Sequence, residues 1–287
     1  MRTMNSKLAF PLVAVLALGA AACDDGSQTT ASGGESTLEV TQAALSAGEA
    51  EGDGQALGLL AFPRPRGMMG GPGALTAEER VQRLKDFVAE RLTCATATEA
   101  AAGDGITIVF ERECQWAGRV WTGTVTFTWS AGGDTADIVF SGVKANGATL
   151  TGDMTVTRVE EDHVTVEADW TRTRPDGKSL AGSWNGDYSW TETTYTIHGA
   201  THVVTVDGAS ATRTSTDLVW QKNERAPESG TVTFSGFGGK TWSMTYGRDE
   251  SGALQVTVTG PNGQSRTFTI GADGEPGEGP RATPPAS

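Results

Sequence analysis

Alternation of apolar and polar residues with a period of two constrains this chain more than any other feature. It is clearest in LAGSWNGDYSW, residues 180–190, where every second position belongs to one face. That face carries Leu180, Gly182, Trp184, Gly186, Tyr188 and Trp190. The runs WTGTVTFTW, LTGDMTV and VTVEADW, at 121–129, 150–156 and 164–170, repeat the pattern. Because successive side chains of a strand point to opposite faces, each run predicts a strand with one buried and one solvated face.

The same alternation predicts an antiparallel sheet in a mainly β protein. Parallel strands are apolar on both faces and need helical crossovers, and the sequence indicates neither. Turn signals such as RPDGK, GRDESG and GPNGQ separate the runs and suggest a meander of about ten strands. One helix cannot cover ten strands. We therefore expect the sheet to curl, to form a half-barrel or barrel, or to fold over as a sandwich.

One segment, LTAEERVQRLKDFVAERL at 75–92, predicts an α-helix before the first strand. Thr76 is the expected N-cap, and Glu79 completes a capping box. Apolar residues recur at helical spacing at Val81, Leu84, Val88 and Leu92, with Phe87 beside them. We expect this face of the helix to pack against the sheet.

The first 22 residues have the pattern of a secretory signal peptide. Arg2 and Lys7 precede the apolar run from Leu8 to Ala22, which is short for a membrane span. Three alanines then lead to Cys23. This resembles the lipobox of bacterial lipoproteins, which implies cleavage before Cys23 and a diacylglyceryl group on its sulfur. The alternative is ordinary cleavage after Ala22, which would leave Cys23 as a spare thiol.

Two further cysteines, Cys94 and Cys114, are expected to form a disulfide. An exported chain meets an oxidising compartment, where such a pair is normally bridged. A zinc site is not indicated, because two thiols without nearby histidines do not make one.

Composition divides the remainder of the chain. Residues 23–74 are predicted to be a lipidated tether followed by an irregular segment rich in Pro and Gly, and 75–270 a single folded domain. The tail, 271–287, has a disordered composition. Removal of the signal would leave 20 basic against 35 acidic residues. That charge disfavours nucleic acid and anionic lipid surfaces as partners.

The search for catalytic chemistry is negative. We find no G-x-S-x-G, HExxH, P-loop or dinucleotide-binding glycine pattern, and we expect no enzyme and no cofactor. His163 lies in a predicted turn. In HGATH, His198 and His202 would be ~13 Å apart on a straight strand. They would be ~5 Å apart across a three-residue loop, and on opposite faces with a two-residue loop. Even two histidines lack an evident third ligand, so no metal site is expected.

The eight tryptophans have two interpretations. Most lie at inward positions, which predicts core packing. The alternative is an aromatic-lined cavity for an apolar ligand. Its candidate lining residues are Trp121, Trp129, Trp184 and Trp190. Inward glycines such as Gly182 would leave room for a neighbouring ring or for a bound guest.

The end of the chain, from 229 to 270, is similar to uncharacterised β-rich bacterial surface lipoproteins. The similarity rests on Ser229-Gly230, Tyr246-Gly247 and Asn262-Gly263. Those proteins often carry cysteines in this region, and this chain has none there. The resemblance implies a surface lipoprotein and no particular activity.

We therefore expect a non-enzymatic protein of the bacterial cell envelope, lipid-anchored through Cys23, with a structural or binding role. Its partners would be the membrane and an envelope protein, a glycan or an apolar ligand. The outer membrane is favoured over the inner, although Asp24 after the anchor resembles an inner-membrane retention signal of enteric bacteria. The body would lie in the periplasm or at the cell surface. The alternative function is a half-barrel carrier of a lipid or another apolar ligand.

Overall fold

A computed structural model describes residues 75–116, 119–206, 209–221, 226–236 and 240–270. Within these ranges the chain forms one helix followed by thirteen antiparallel strands. The elements are α1 (Ala77–Arg91), β1 (Ala95–Glu99), β2 (Gly105–Trp116), β3 (Arg119–Trp129), β4 (Thr135–Ala145), β5 (Ala148–Glu160), β6 (His163–Thr173), β7 (Ser179–Trp190), β8 (Thr194–Val206), β9 (Ala209–Gln221), β10 (Ser229–Ser235), β11 (Thr241–Arg248), β12 (Leu254–Thr259) and β13 (Ser265–Thr269).

The strands form one continuous meander in which each strand pairs with its neighbours in sequence. β1 and β13 are the two edges, so the hydrogen-bonded sheet is open. The predicted mainly β, antiparallel architecture with one N-terminal helix is therefore confirmed. The number of strands is thirteen rather than about ten. The strands that the pattern did not single out include β1, which is short and built from alternating Ala and Thr followed by Glu, and β4 and β8, whose alternation is interrupted.

Helix α1 begins and packs as its sequence predicts. The Thr76 hydroxyl accepts a hydrogen bond from the Glu79 backbone, and the Glu79 carboxylate accepts one from the Thr76 N–H, which completes the capping box. Val81, Leu84 and Val88 are buried and join the same core as the strands. The helix packs against β1, β2 and β3.

A disulfide joins the end of this helix to the sheet. Cys94 and Cys114 are bonded, with their Cα atoms 5.3 Å apart. Cys94 precedes β1, while Cys114 lies fully buried on β2. The bridge therefore fixes how α1 docks on the first hairpin, and the predicted pairing is confirmed.

A buried arginine secures the other end of the helix. Arg80 is almost fully buried, near the turn between β3 and β4. Burial, followed by the nearby charge of Arg158, lowers its pKa to about 10, while Asp134 opposes the shift. Asp134 also pairs with Arg158 at 3.6 Å. This arrangement positions the start of α1 over the sheet.

One face of the sheet is the inner face, and it carries the core. In β3, Trp121, Val125, Phe127 and Trp129 are buried, whereas the threonines between them are not. β7 repeats this with Leu180, Trp184 and Tyr188. The buried side chains from α1 through β12 form one cluster. The inside–outside division inferred from alternation in these strands is thus correct.

Bulges interrupt the pairing along two lines across the sheet. The first crosses β2 to β5, where Gly123, Gly142 and Gly152 have positive φ angles. The second crosses β7 to β10 and includes Gly230. Bulges and glycine kinks bend individual strands and increase their local twist. At Gly152 a side chain would meet backbone, because an added Cβ would lie 2.1 Å from the Asp169 carbonyl oxygen.

Candidate functional site

Two places in the described structure bring chemically interesting side chains together, and they lie on opposite faces of the same strands. The first, the inner aromatic cluster, is on β7 to β9. Its members are Trp184, Tyr188, Tyr195, His202 and Trp220. The second, the outer histidine cluster, is on β6 to β8. Its members are His163, Asp187, Ser189 and His198.

The inner aromatic cluster is a chain of ring contacts across three strands. The Trp184 and His202 rings are stacked with their centroids 5.6 Å apart, and the Trp184 indole N–H donates to the Tyr188 hydroxyl. Tyr188 contacts Tyr195, which in turn contacts Trp220 at 6.0 Å. Tyr195 is only partly buried, so the cluster reaches from the core towards solvent. Such a surface combines apolar ring faces with polar tips.

The four tryptophans proposed as cavity lining do not form one group. Trp121 is fully buried, contacts Phe110, and donates its indole N–H to the Trp116 carbonyl at 3.0 Å. Trp129 is buried against Phe127. Both pack in the core on β3. Trp184 belongs to the inner aromatic cluster, and Trp190 is half-buried at the end of β7.

Neighbouring rings cover two of the inward glycines. An added Cβ at Gly182 would lie 2.5 Å from the Trp170 ring, and one at Gly186 would lie 2.3 Å from the Tyr188 ring. Of the two uses considered for such glycines, the structure supports room for a neighbouring ring at both positions.

A row of small residues crosses the inner face beside the cluster. Gly186, Ala200 and Ser215 are register partners on β7, β8 and β9, and Val232 continues the row on β10. Ser215 is fully buried, and its hydroxyl forms no hydrogen bond within the described structure. Burying an unsatisfied hydroxyl costs ~1–3 kcal/mol, so such a group marks a place where a polar partner would be favourable.

The outer histidine cluster is held together by two hydrogen bonds. His163 Nε2 and Asp187 Oδ1 are 2.6 Å apart, and His198 Nε2 and Ser189 Oγ are 2.7 Å apart. The two imidazole rings have centroids 5.8 Å apart and are inclined at 59°. His163 comes from the start of β6, Asp187 and Ser189 from β7, and His198 from β8.

A bulge explains why HGATH behaves differently from every geometry considered for it. The segment is part of the continuous strand β8, but Asp187 pairs with Gly199 and Tyr188 with Ile197, which leaves His198 as the extra residue. The bulge reverses the side-chain parity. His198 therefore lies exposed on the outer face, while His202 is buried on the inner face.

The outer cluster contains the residue types of a Ser-His-Asp triad, but not its connectivity. In a triad one histidine contacts both the serine and the carboxylate. Here Ser189 contacts His198, whereas Asp187 contacts His163. Within the described ranges, no group of three or more His, Cys, Asp or Glu side chains is arranged to hold a metal ion.

Several predicted features lie outside the described residues. These are the signal peptide, Cys23, the tether and segment at 23–74, and the tail at 271–287. In the part of the chain that the structure covers, no helix has the length and apolarity needed to cross a bilayer. Comparison with known proteins finds no matching family model, no matching curated protein and no matching solved structure.

Proposed function

We propose that the chain is an exported protein of the bacterial cell envelope, anchored by lipid on Cys23, with a non-enzymatic binding or structural role. The observation that carries the proposal is the Cys94–Cys114 disulfide. Disulfides persist in oxidising compartments, and this one leaves Cys23 as the only other cysteine of the sequence. A cysteine that follows a signal-like segment and lacks a disulfide partner is well explained as an acylation site.

The number of acyl chains would make the anchor stable. One acyl chain binds a bilayer only marginally, but two or more hold firmly at ~0.8 kcal/mol for each buried methylene. The acidic body adds no attraction to an anionic surface, so the lipid would supply the affinity.

Membrane fractionation of the wild type and Cys23→Ser tests this proposal. We expect the wild type with the membranes and carrying added lipid mass, and Cys23→Ser in the soluble fraction without it. Ser27→Ala, four residues further on, is the matched control and should behave as wild type. Retention of Cys23→Ser in the membrane with an unchanged mass would contradict the anchor.

A second candidate function is a carrier of an apolar ligand that has one polar group. The inner face of β6 to β12 favours it, because the ring faces of the inner aromatic cluster lie beside the unpaired hydroxyl of Ser215. The described helix covers β1 to β3 and not these strands. A ligand here would lie against the inner aromatic cluster and place its polar group at Ser215.

Native mass spectrometry of the purified full chain tests the carrier function. A carrier should retain a lipid from the expressing cell, and Ser215→Ala should reduce the bound fraction. Without a ligand, the same substitution should raise stability, because it removes an unsatisfied buried hydroxyl. Thr216→Ala is the control on the adjacent outward position. Absence of any bound mass, together with a more stable Ser215→Ala protein, would reject the carrier function.

A further inference from the structure

The outer histidine cluster shares one feature with protein metal sites, although the sequence predicted none. Metal-binding histidines typically donate the second ring N–H to a carboxylate or another oxygen, which fixes the tautomer and the ring orientation. His163 is placed in this way by Asp187, and His198 by Ser189. In the tautomers that carry the proton on Nε2, both rings donate to these oxygens. Both Nδ1 atoms then keep a lone pair for a cation.

The separation of the two rings suits a shared ion. Imidazole nitrogens bind Zn²⁺ at ~2.0–2.1 Å, so two rings on one ion have centroids roughly 4.5–6.4 Å apart for ligand angles between about 90° and 180°. The observed separation is 5.8 Å, at a tilt that avoids stacking. By contrast, the stacked pair Trp184–His202 lies nearly parallel, at 18°.

The local charge favours a cation. Glu161 and Asp162 form the turn between β5 and β6, and Glu192 lies in the turn between β7 and β8. Both turns are at the same end of the sheet, since the Trp190 N–H donates to the Asp162 carbonyl. Together with Asp187, they place negative charge at the end of the sheet where the histidines lie. His163 is about a quarter exposed, and His198 is exposed, so an ion could enter from solvent.

We propose that His163 and His198 form a surface site for a divalent transition metal ion of the imidazole-preferring kind, Cu²⁺, Ni²⁺ or Zn²⁺. Asp187 and Ser189 are positioning residues that orient the two ligands. Water completes the coordination, because the described structure supplies two ligands and not three. The inherent order of metal affinities places Cu²⁺ above Ni²⁺ and Zn²⁺.

Isothermal titration with Cu²⁺, Ni²⁺ and Zn²⁺ on the tag-free full chain, purified in detergent, tests this site. We expect one ion per chain, with Cu²⁺ bound most tightly. His163→Gln and His198→Gln should each weaken binding at least ~10-fold. Asp187→Asn should weaken it by ~10–100-fold, as is usual for groups that orient a metal ligand. Asn185→Ala, on the same outer face of β7, should leave binding unchanged.

A spectroscopic measurement separates a shared ion from independent binding at single histidines. Cu²⁺ electron paramagnetic resonance of the wild type should show two imidazole nitrogens, and each Gln variant should show one. Unaltered thermal melting of the variants would establish that the fold persists. No binding at millimolar metal, binding that survives both Gln substitutions, or a single coordinated imidazole in the wild type would overturn the site.

Discussion

The first five strands and the last eight bury the same face of one sheet in different ways. From β2 to β5, the buried inner-face hydrophobic residues are 0–4% exposed, and many are at zero. From β6 to β12 the corresponding values run from 1% to 9%, with Trp170 at 9% and Trp220 and Ala168 at 8%. The first strands have the dryness of a protein core, and α1 covers β1 to β3 of them, which we call the covered part. The later strands are slightly more exposed, although Val256 and Leu218 remain at 1% and 2%.

Buried polar side chains are also distributed unevenly between the earlier and the later strands. The described residues include four buried polar or charged side chains: Arg80, Arg172, His202 and Ser215. Arg80 belongs to the helix, and the other three lie on β6, β8 and β9. Polar groups in a core reduce stability unless satisfied, and they often accompany function. The comparison therefore predicts that stability depends mainly on β1–β5 with α1, and it makes β6–β9 the region on which the proposed binding role depends.

The largest expected effect is the removal of a ring from the covered part. Trp121→Ala should lower the free energy of unfolding by ~3–5 kcal/mol, because the ring is fully buried with its N–H satisfied. Trp184→Ala should cost less, since that ring borders the more accessible face. Asn185→Ala beside it should stay within ~0.5 kcal/mol. Urea midpoints of the three variants measure this order.

The order of these losses in unfolding free energy tests whether the earlier and the later strands differ. Equal losses at Trp121 and Trp184 would mean that the sheet has a uniform core, and the proposed division of roles would be wrong. Comparable losses at Trp184 and Asn185 would contradict the one-sided sheet itself.

The next effect concerns the disulfide that fastens the helix to the covered part. Replacing Cys94 and Cys114 together with Ala should lower the free energy of unfolding by ~3 kcal/mol, because the bridge closes a loop with a sequence separation of 20. Dithiothreitol should lower the urea midpoint of the wild type and leave that of the double variant unchanged. A wild-type midpoint that does not respond to complete reduction would show that helix docking does not depend on the bridge.

A smaller effect sharpens the description of the inner face on β7. Gly182→Ala should cost ~1–3 kcal/mol, because the new methyl would overlap the Trp170 ring and the Val203 carbonyl oxygen at 2.6 Å. Gly247→Ala is the matched control on β11, where an added Cβ meets nothing within 4 Å. Thermal melting should show a clear decrease for the first and little change for the second. Equal melting temperatures would mean that the Trp170 ring does not rest on Gly182.

The contrast between the halves was only partly accessible from the sequence. Alternation identified the inner face of β3 and β7, because strand periodicity is a local property of the chain. It did not single out β8, where the bulge at His198 reverses the side-chain parity of the rest of the strand. A single extra residue in one strand leaves no distinct local signal, yet it decides which histidine is buried.

The candidate sites were less predictable than the fold, for the same physical reason. Cys94 and Cys114 could be paired from the compartment, because only two cysteines remained for one bond. His163 and His198 are 35 positions apart and meet above β7 only through the register of three strands. Register is set by pairing and turn geometry across the whole sheet, so it was not contained in either histidine's neighbourhood.

The smallest expected effect concerns a buried polar group of the later strands, the phenol of Tyr246. It tests whether burying this group makes the free energy of unfolding depend on pH. Burial raises the pKa of the Tyr246 phenol on β11 above its ordinary value, and Arg213 opposes the shift. A raised pKa in the folded state favours the neutral phenol. The stability that this phenol contributes is therefore fully present below the unfolded pKa of about 10. It is lost as the pH rises from there towards the folded pKa.

Wild type and Tyr246→Phe should therefore differ by a constant amount at neutral pH. Above about pH 10, the wild type should lose stability faster, which urea midpoints at about pH 7, 9 and 10.5 would measure. The other two tyrosines of the sequence are present in both proteins, so the difference between them reports Tyr246. A difference that stays constant through the alkaline range would mean that this phenol reaches solvent freely, and that the inner face is open as far as β11.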